Sequence, residues 1–251
     1  MVKKKKTNTD DNNEIKELLN TYKEENQLKY KISLKCKNEK QKKLCEAIKD
    51  KEIVFSCGSA GSGKSFISIG MALKLLKDKE KNNYKKIILV VPTVQSDLEI
   101  GFLPGTVDEK LQYNAEASLY TMEKCLDQSG NSKSHDIILK LIKDGLLEIR
   151  CVSFMRGYTI DNAIVIIEES QQFPKSAFKT LLTRIGDNSK YIFNGDIEQI
   201  DNKDIKRGKD ICGLSYAMDK LKDTDEIGIV TFNRDEIVRN PLITKILDKW
   251  D

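Results

Sequence analysis

Between Leu28 and Lys37 the chain alternates: Leu28, Tyr30, Ile32, Leu34 and Cys36 are interleaved with Lys29, Lys31, Ser33, Lys35 and Lys37. A period of two predicts a half-buried strand, and its lysine face suits an exposed or edge position. Upstream, Ile15, Leu18, Leu19 and Tyr22 recur at helical spacing and predict a short amphipathic helix, while residues 1–12 are polar and charged and predict a disordered tail. From Asn38 the pattern changes. Asn38 suits an N-cap, and Leu44, Ala47 and Ile48 form one face of a helix. Ile53–Cys57 is a short apolar, β-branched run of the kind a buried strand requires. A helix over 65–78, a strand over 87–91, a long helix near 107–128 and a strand near 147–153 follow. Strand 163–167, helix 174–184, strand 190–194, helix 210–222, strand 228–232 and helix 240–249 complete the series. Strands alternating with helices predict an α/β fold, a mostly parallel sheet with helices on both faces, preceded by a short N-terminal extension over 1–37. Residues 38–251 then form the main domain.

Composition narrows this only a little. In 251 residues, 39% hydrophobic content is enough to fill one core, and 33% charged residues suit a helix-rich soluble protein. No run of about 18 apolar residues occurs, so no membrane span is expected. The opening Met-Val-Lys-Lys-Lys-Lys leads into polar residues rather than an apolar segment, which argues against a secretory signal and for a cytoplasmic location. Six dispersed cysteines and the lone His135 lack the spacing of an ordinary zinc site, and Cys57 and Cys151 lie in apolar stretches that predict buried reduced thiols. The net charge of +4 permits a phosphate-backbone partner without requiring one, and Lys3–Lys6 is read as a solvated tail.

The chemistry is concentrated after the first buried strand. Gly58-Ser59-Ala60-Gly61-Ser62-Gly63-Lys64-Ser65 has the spacing of a phosphate loop, and Phe66 continues it into the helix. Glycines allow a tight turn in which successive N–H groups point at phosphate oxygens, and the following helix presents its positive end to the same anion. Lys64 reaches the β and γ phosphates in such loops, and the Ser65 hydroxyl ligates Mg²⁺. A second element, Ile164-Val165-Ile166-Ile167-Glu168-Glu169, is an apolar strand ending in two carboxylates, the arrangement of a Walker B site. Most such sites carry Asp then Glu, the first for the metal and the second for water. Here Glu168 is one methylene longer, so it either reaches the metal through a shifted water or impairs hydrolysis.

These motifs resemble the PhoH-like ATPases from about residue 38 to residue 249. The family's Gly-Phe-Leu-Pro-Gly segment stands here as Pro92-Thr93-Val94 followed by Gly101-Phe102-Leu103-Pro104-Gly105. Its Met-Arg-Gly element is similar to Phe154-Met155-Arg156-Gly157, and its Asp-Glu-Ala-Gln to Glu168-Glu169-Ser170-Gln171. Leu182-Thr183-Arg184-Ile185-Gly186, Gly195-Asp196-Ile197-Glu198-Gln199-Ile200-Asp201 and Val238-Arg239-Asn240-Pro241-Leu242 follow in the family's order. Because the family resembles the ATPase core of superfamily 1 helicases, the likeness implies a single RecA-like P-loop NTPase domain using ATP and Mg²⁺. It implies Gln41 at adenine, Lys64 and Gln199 at the γ-phosphate, Ser65 and Glu168 at the metal, Glu169 at the attacking water and Arg239 as an arginine finger. Other readings stay open. Gln41 can complete a capping box with Asn38, Gln199 can close a turn, and Arg239 can pair with Glu236 or Asp235. Arg156 and Arg184 suit nucleic acid or a neighbouring subunit equally. Val91 and Asn240 replace an arginine and a histidine found in many members, and no ribonuclease-like extension is expected.

The implied function is ATP hydrolysis coupled to single-stranded RNA or DNA. A single cleft-forming domain would then need a homo-oligomer, such as a ring, to supply its arginine. A nucleotide-gated binding protein with little turnover is the alternative. A small-molecule P-loop kinase is disfavoured because no arginine-rich lid is visible, and a GTPase because no Asn-Lys-x-Asp occurs.

Overall fold

A computed structural model describes residues 30–92, 107–126, 133–157, 159–238 and 249, with the backbone alone at 79–80 and 107–113. Residues Lys31–Asp251 belong to one compact unit. Its centre is a six-stranded sheet, β1 (Ile53–Gly58), β2 (Lys86–Val90), β3 (Leu147–Arg150), β4 (Ala163–Ile167), β5 (Lys190–Gly195) and β6 (Ile227–Phe232), in the order β3-β2-β4-β5-β1-β6. Every pairing between these strands is parallel. Parallel strands covered on both faces have no solvent side, and β4 and β5 are accordingly buried at every position.

Five helices that bear on the site are α1 (Glu39–Asp50), α2 (Lys64–Lys77), α3 (Val107–Leu126), α5 (Lys175–Leu182) and α6 (Gly213–Leu221), with α4 (Lys133–Lys143) between α3 and β3. On one face of the sheet Phe55, Val165, Tyr191 and Phe193 pack against Phe178 and Leu181 of α5 and Leu214 and Ala217 of α6. Ring centroids lie 5.1 Å apart for Phe55–Phe193 and 5.0 Å for Phe178–Phe193. The opposite face carries Asn194, whose side-chain oxygen accepts from Ser68 Oγ of α2 at 2.9 Å. By the alternation of a strand, Ile192 faces α2 with it. Cys57 and Cys151 are buried free thiols, as their apolar surroundings in the sequence suggest.

Three expectations change. The 28–36 strand forms no ladder in its described part. Residues 31–37 are extended and do alternate in exposure, but they lie on helices: Ser33 N–H donates to Cys125 O at 2.7 Å, and Leu34 packs so closely on Gly70 of α2 that an added Cβ would come within 2.6 Å of it. The strand near 147–153 stops at Arg150, because Val152–Met155 forms a 3-10 turn. Helix α4 is additional. Its buried face, Ser134, Ile138 and Leu141, is masked in the sequence by the neighbouring apolar Ile137, Leu139 and Ile142. The expected helices over 15–22 and 240–249 lie outside the described residues, apart from Lys249, which is helical.

The C-terminal ends of all six strands share one edge of the sheet, where an open parallel sheet binds its ligands. The phosphate-loop strand β1 and the carboxylate strand β4 are separated there by β5 alone. That spacing brings residues from three strand ends into one cleft.

Candidate functional site

Gly58 ends β1 with φ 137°, Gly61 has φ 85°, and Gly63 stands at the N-cap of α2 with φ 86°. These left-handed or mirror-extended conformations turn the loop back over the helix terminus, and side chains rarely tolerate them. A Cβ at Gly58 would also lie 2.0 Å from the Phe232 carbonyl oxygen of β6. Inside the loop, Lys64 Nζ donates to the carbonyls of Gly58 and Ser59, the latter at 2.9 Å, and to Ser62 Oγ at 3.3 Å. Burial lowers the Lys64 pKa, against the opposing pull of Asp196, Cys57, Glu168 and Glu169. Desolvated positive charge at a helix N-terminus is a site made for an anion.

Glu168 follows β4 and is buried. Its Oε2 accepts from Ser65 Oγ at 2.8 Å and its Oε1 from Asn194 Nδ2 at 2.9 Å. Burial pushes its carboxyl up to about 7, with the Asn194 and Ser65 hydrogen bonds acting the other way. The longer side chain thus spans from β4 to the first turn of α2. Ser65 and Glu168 provide hydroxyl and carboxylate oxygens at adjacent positions, a donor set that fits a hard cation such as Mg²⁺.

Glu169 differs from its neighbour in every respect. It is exposed, and its backbone has φ 49° and ψ 41°, the left-handed region. A non-glycine residue held there stores strain that the surroundings must maintain, a common feature of functional sites. Gln171 Nε2 donates to Glu169 Oε2 at 2.7 Å and to Gln199 O at 3.1 Å, while its Oε1 accepts from Asp196 N–H at 3.0 Å. Gln172 completes the clamp: Nε2 donates to Gln199 O at 2.9 Å, and Oε1 accepts from the N–H groups of Asp201 and Asn202 at 2.8 and 2.9 Å. The Gln199 N–H closes a turn on Asp196 O at 3.0 Å. The turn reading of Gln199 therefore holds for its backbone, while its residue also lines the cleft.

A cleft of about 500 Å³ connects these groups. Ala60, Gly61, Gly63, Lys64, Ser65 and Phe66 form one side, and Glu168, Glu169, Asp196 and Gln199 another. Gln41 is buried beneath the loop rather than among the lining residues. Its Nε2 donates to Ser62 O at 2.8 Å, its Oε1 accepts from Lys37 N–H at 2.7 Å, and its own N–H donates to Asn38 Oδ1 at 2.8 Å. Asn38 caps α1 as expected, but the side chain of Gln41 returns to Lys37 and not to Asn38, so only half of a capping box forms. Gly58, Ser59 and Ser62 belong to the loop but are not among the residues that line the cleft. Arg184 is away from the cleft, with Nη2 donating to Thr183 Oγ1 at 3.3 Å, and Arg156 is exposed after the 3-10 turn. Thr93, Val94, Gly101–Gly105, Arg239 and Asn240 lie outside the described residues. Neither Asn194 nor Gln172 belongs to a sequence motif, although Asn194 immediately precedes Gly195 and Gln172 immediately follows Gln171.

The sheet order, the phosphate loop and the strand-end carboxylates define a RecA-like P-loop nucleotide-binding fold. The chain belongs to the PhoH-like protein family, whose model matches residues 33–251. It is 34% identical over 220 residues to the PhoH-like protein of Bacillus subtilis (strain 168), covering 87% of this chain and 64% of the relative. It is 35% identical over 215 residues to Protein PhoH of Escherichia coli (strain K12), covering 85% and 57%. The chain thus spans less than two thirds of the length of either relative. Among solved structures it is similar to the Pif1 helicase from Candida albicans, at 14% identity and TM-score 0.42, over 86% of this chain and 44% of that one. No helix among the described residues is long and apolar enough to cross a membrane.

Proposed function

We propose that this chain is a Mg²⁺-dependent ATPase that acts on single-stranded RNA or DNA in the cytoplasm, with residues 38–251 as its motor domain and 1–37 as an extension. The observation that carries the reading is the convergence of Lys64, Ser65, Glu168, Glu169 and Gln199 on one cleft from three strand ends. The loop N–H groups and Lys64 bind the phosphates. Ser65 and Glu168 would hold Mg²⁺, which supplies charge neutralisation across the β and γ phosphates when bound. Glu169, aimed by Gln171, orients and polarises the attacking water. Gln199 reports the γ-phosphate to the 196–202 loop that Gln171 and Gln172 clamp. Gln41 braces the loop at Ser62, and the adenine contact that the family likeness implies would require its amide to leave Ser62 and Lys37.

The test is hydrolysis of Mg-ATP with and without single-stranded RNA and DNA. Turnover raised severalfold by one of them is the expected result. A second reading, a nucleotide-gated binder with little turnover, draws on Glu168, whose two oxygens are already committed to Ser65 and Asn194. Tight Mg-ATP binding with no hydrolysis under any nucleic acid would favour it.

A homo-oligomer is part of the same proposal. Among its described lining residues the cations are Lys37, Lys64 and Lys124, and none is an arginine. Phosphoryl-transfer sites of this class gain about 10³–10⁵ in rate from an arginine at the γ-phosphate. Arg239 is the candidate, from a neighbouring copy in a homo-oligomer such as a ring. Mixing an Arg239→Ala subunit with a Lys64→Ala subunit, each inactive alone, is expected to restore part of the activity, because some sites then combine an intact half from each parent. Full-rate hydrolysis by a monomer at micromolar concentration, with ATP and nucleic acid present, would defeat the shared site. Arg239 would then act within its own chain, where Val238 already donates its N–H to Gly61 O at 3.1 Å.

A further inference from the structure

The cleft continues beyond the groups that handle phosphate. Its far wall is helix α3, fixed at both ends of the described part. Asn114 Nδ2 donates to Pro92 O at 3.2 Å after β2, and Cys125 Sγ donates to Phe66 O at 3.5 Å in the first turn of α2. The helix therefore runs alongside the phosphate loop. It turns Tyr120, Thr121 and Lys124 into the cleft, near Phe66 and Lys37.

Tyr120 is the unusual member of that wall. It is 58% exposed, the most exposed of the large hydrophobic side chains described. Buried neighbours on the same helix, Ala115, Met122, Cys125 and Leu126, satisfy the core and leave Tyr120 no packing role. Its ring is held in place from one side by Lys124, whose Nζ lies 5.1 Å from the ring centroid. An aromatic face fixed by a cation and open to a cleft is a surface for another flat, electron-rich ring.

Position decides what that ring belongs to. A triphosphate seated in the loop places its γ end at Glu168, Glu169 and Gln199. Its α end then lies beyond Ser65, at Phe66 in the first turn of α2, where α3 passes. The nucleoside must leave the loop in that direction. We propose that Tyr120 is the stacking platform for the nucleobase, with Lys124 and Lys37 flanking the ribose and α-phosphate. The assignment rests on the nucleotide-binding reading above and adds the half of the site that recognises the nucleoside.

Stacking reads the face of a base and leaves the phosphates untouched, so the test compares a ligand with a base and one without. Affinities for Mg-ATP and Mg-tripolyphosphate are measured for wild type, Tyr120→Ala and Tyr120→Phe by calorimetry. Tyr120→Ala is expected to weaken Mg-ATP on the order of 10-fold and to leave Mg-tripolyphosphate unchanged, while Tyr120→Phe keeps wild-type affinity for both. Unchanged Mg-ATP affinity in Tyr120→Ala overturns the platform and leaves the phosphate site standing. Equal losses for both ligands also overturn it, since the residue would then act through the loop. A loss confined to binding of a single-stranded oligonucleotide reassigns the ring to nucleic acid and overturns it as well. Wild-type protein that binds neither ligand removes the nucleotide reading itself, and the platform with it.

Discussion

Replacing Lys64 with alanine is expected to lower Mg-ATP affinity on the order of 10²-fold or more and to abolish turnover in a protein that still folds. The ammonium sits inside the phosphate loop, donating to the carbonyls of Gly58 and Ser59 and to Ser62 Oγ. Those three groups point the charge at the loop's interior, and burial leaves it poorly solvated, which is why its pKa is lowered. An incoming phosphate offers that charge a stronger partner than neutral carbonyls do. Without Lys64 the loop offers the phosphates N–H dipoles and the end of α2 but no charge of its own, and part of their negative charge is desolvated with a weaker counter-charge. The fold has little reason to fail, because Lys64 opens α2 at its first turn, while the helix is anchored by Ile67, Ile69, Leu73 and Leu76 in the core. Calorimetric titration with Mg-ATP, alongside the thermal midpoint, separates the two effects. A folded variant that binds and hydrolyses as wild type does would defeat the phosphate-loop assignment. Arginine is not a conservative replacement here, since a planar guanidinium cannot direct three donors around one turn as an ammonium does.

The phosphate loop was legible in the sequence because its function depends on consecutive residues: backbone N–H groups, small side chains and one lysine within a single turn. Glu168 and Glu169 were legible for a similar reason, as carboxylates where an apolar run stops. Asn194 was not. Its contact with Glu168 exists only because β5 lies between β4 and β1, and strand order is a property of the whole sheet rather than of any segment. Gln172 was missed on the same ground, since it clamps residues 199–202 from a different strand end.

Local periodicity misled where two structures give the same pattern. Leu34 and Cys36 alternate with lysines as an edge strand would, yet an extended chain lying across helices also turns every second side chain inward. Ladder hydrogen bonds distinguish the two, and they leave no trace in sequence. The wall of the cleft is harder still. Asn114, Thr121 and Lys124 resemble the solvent face of an ordinary amphipathic helix, and only the packing of α3 beside α2 makes that face a boundary of the site.

The adjacent carboxylates Glu168 and Glu169 divide the chemistry, and substituting each separately tests the division. Glu168 is buried with both oxygens held, one by Ser65 and one by Asn194, and burial raises its carboxyl to about 7. A group so enclosed is poorly placed to approach water at the γ-phosphate and well placed to organise a cation next to Ser65. Glu169 is exposed on the cleft, fixed in a left-handed backbone turn and steered on one oxygen by Gln171. Glu169→Gln is therefore expected to lower turnover roughly 10²-fold or more while Mg-ATP still binds, because an amide cannot accept the proton that the attacking water gives up. Glu168→Gln should behave differently. Its amide oxygen can still accept from Asn194, but its NH₂ then faces Ser65 Oγ. The hydroxyl must rotate to accept, and the site loses its anionic ligand, so Mg²⁺ affinity falls together with turnover. Single-turnover hydrolysis combined with titration of Mg²⁺ at fixed ATP reads the two effects independently. If Glu168→Gln stops hydrolysis with Mg-ATP affinity intact and Glu169→Gln has little effect, the roles are exchanged. Glu168→Asp completes the series. Shortening the side chain by one methylene raises turnover if the extra reach holds the carboxylate too firmly between α2 and β5, and lowers it if that span is what positions Ser65.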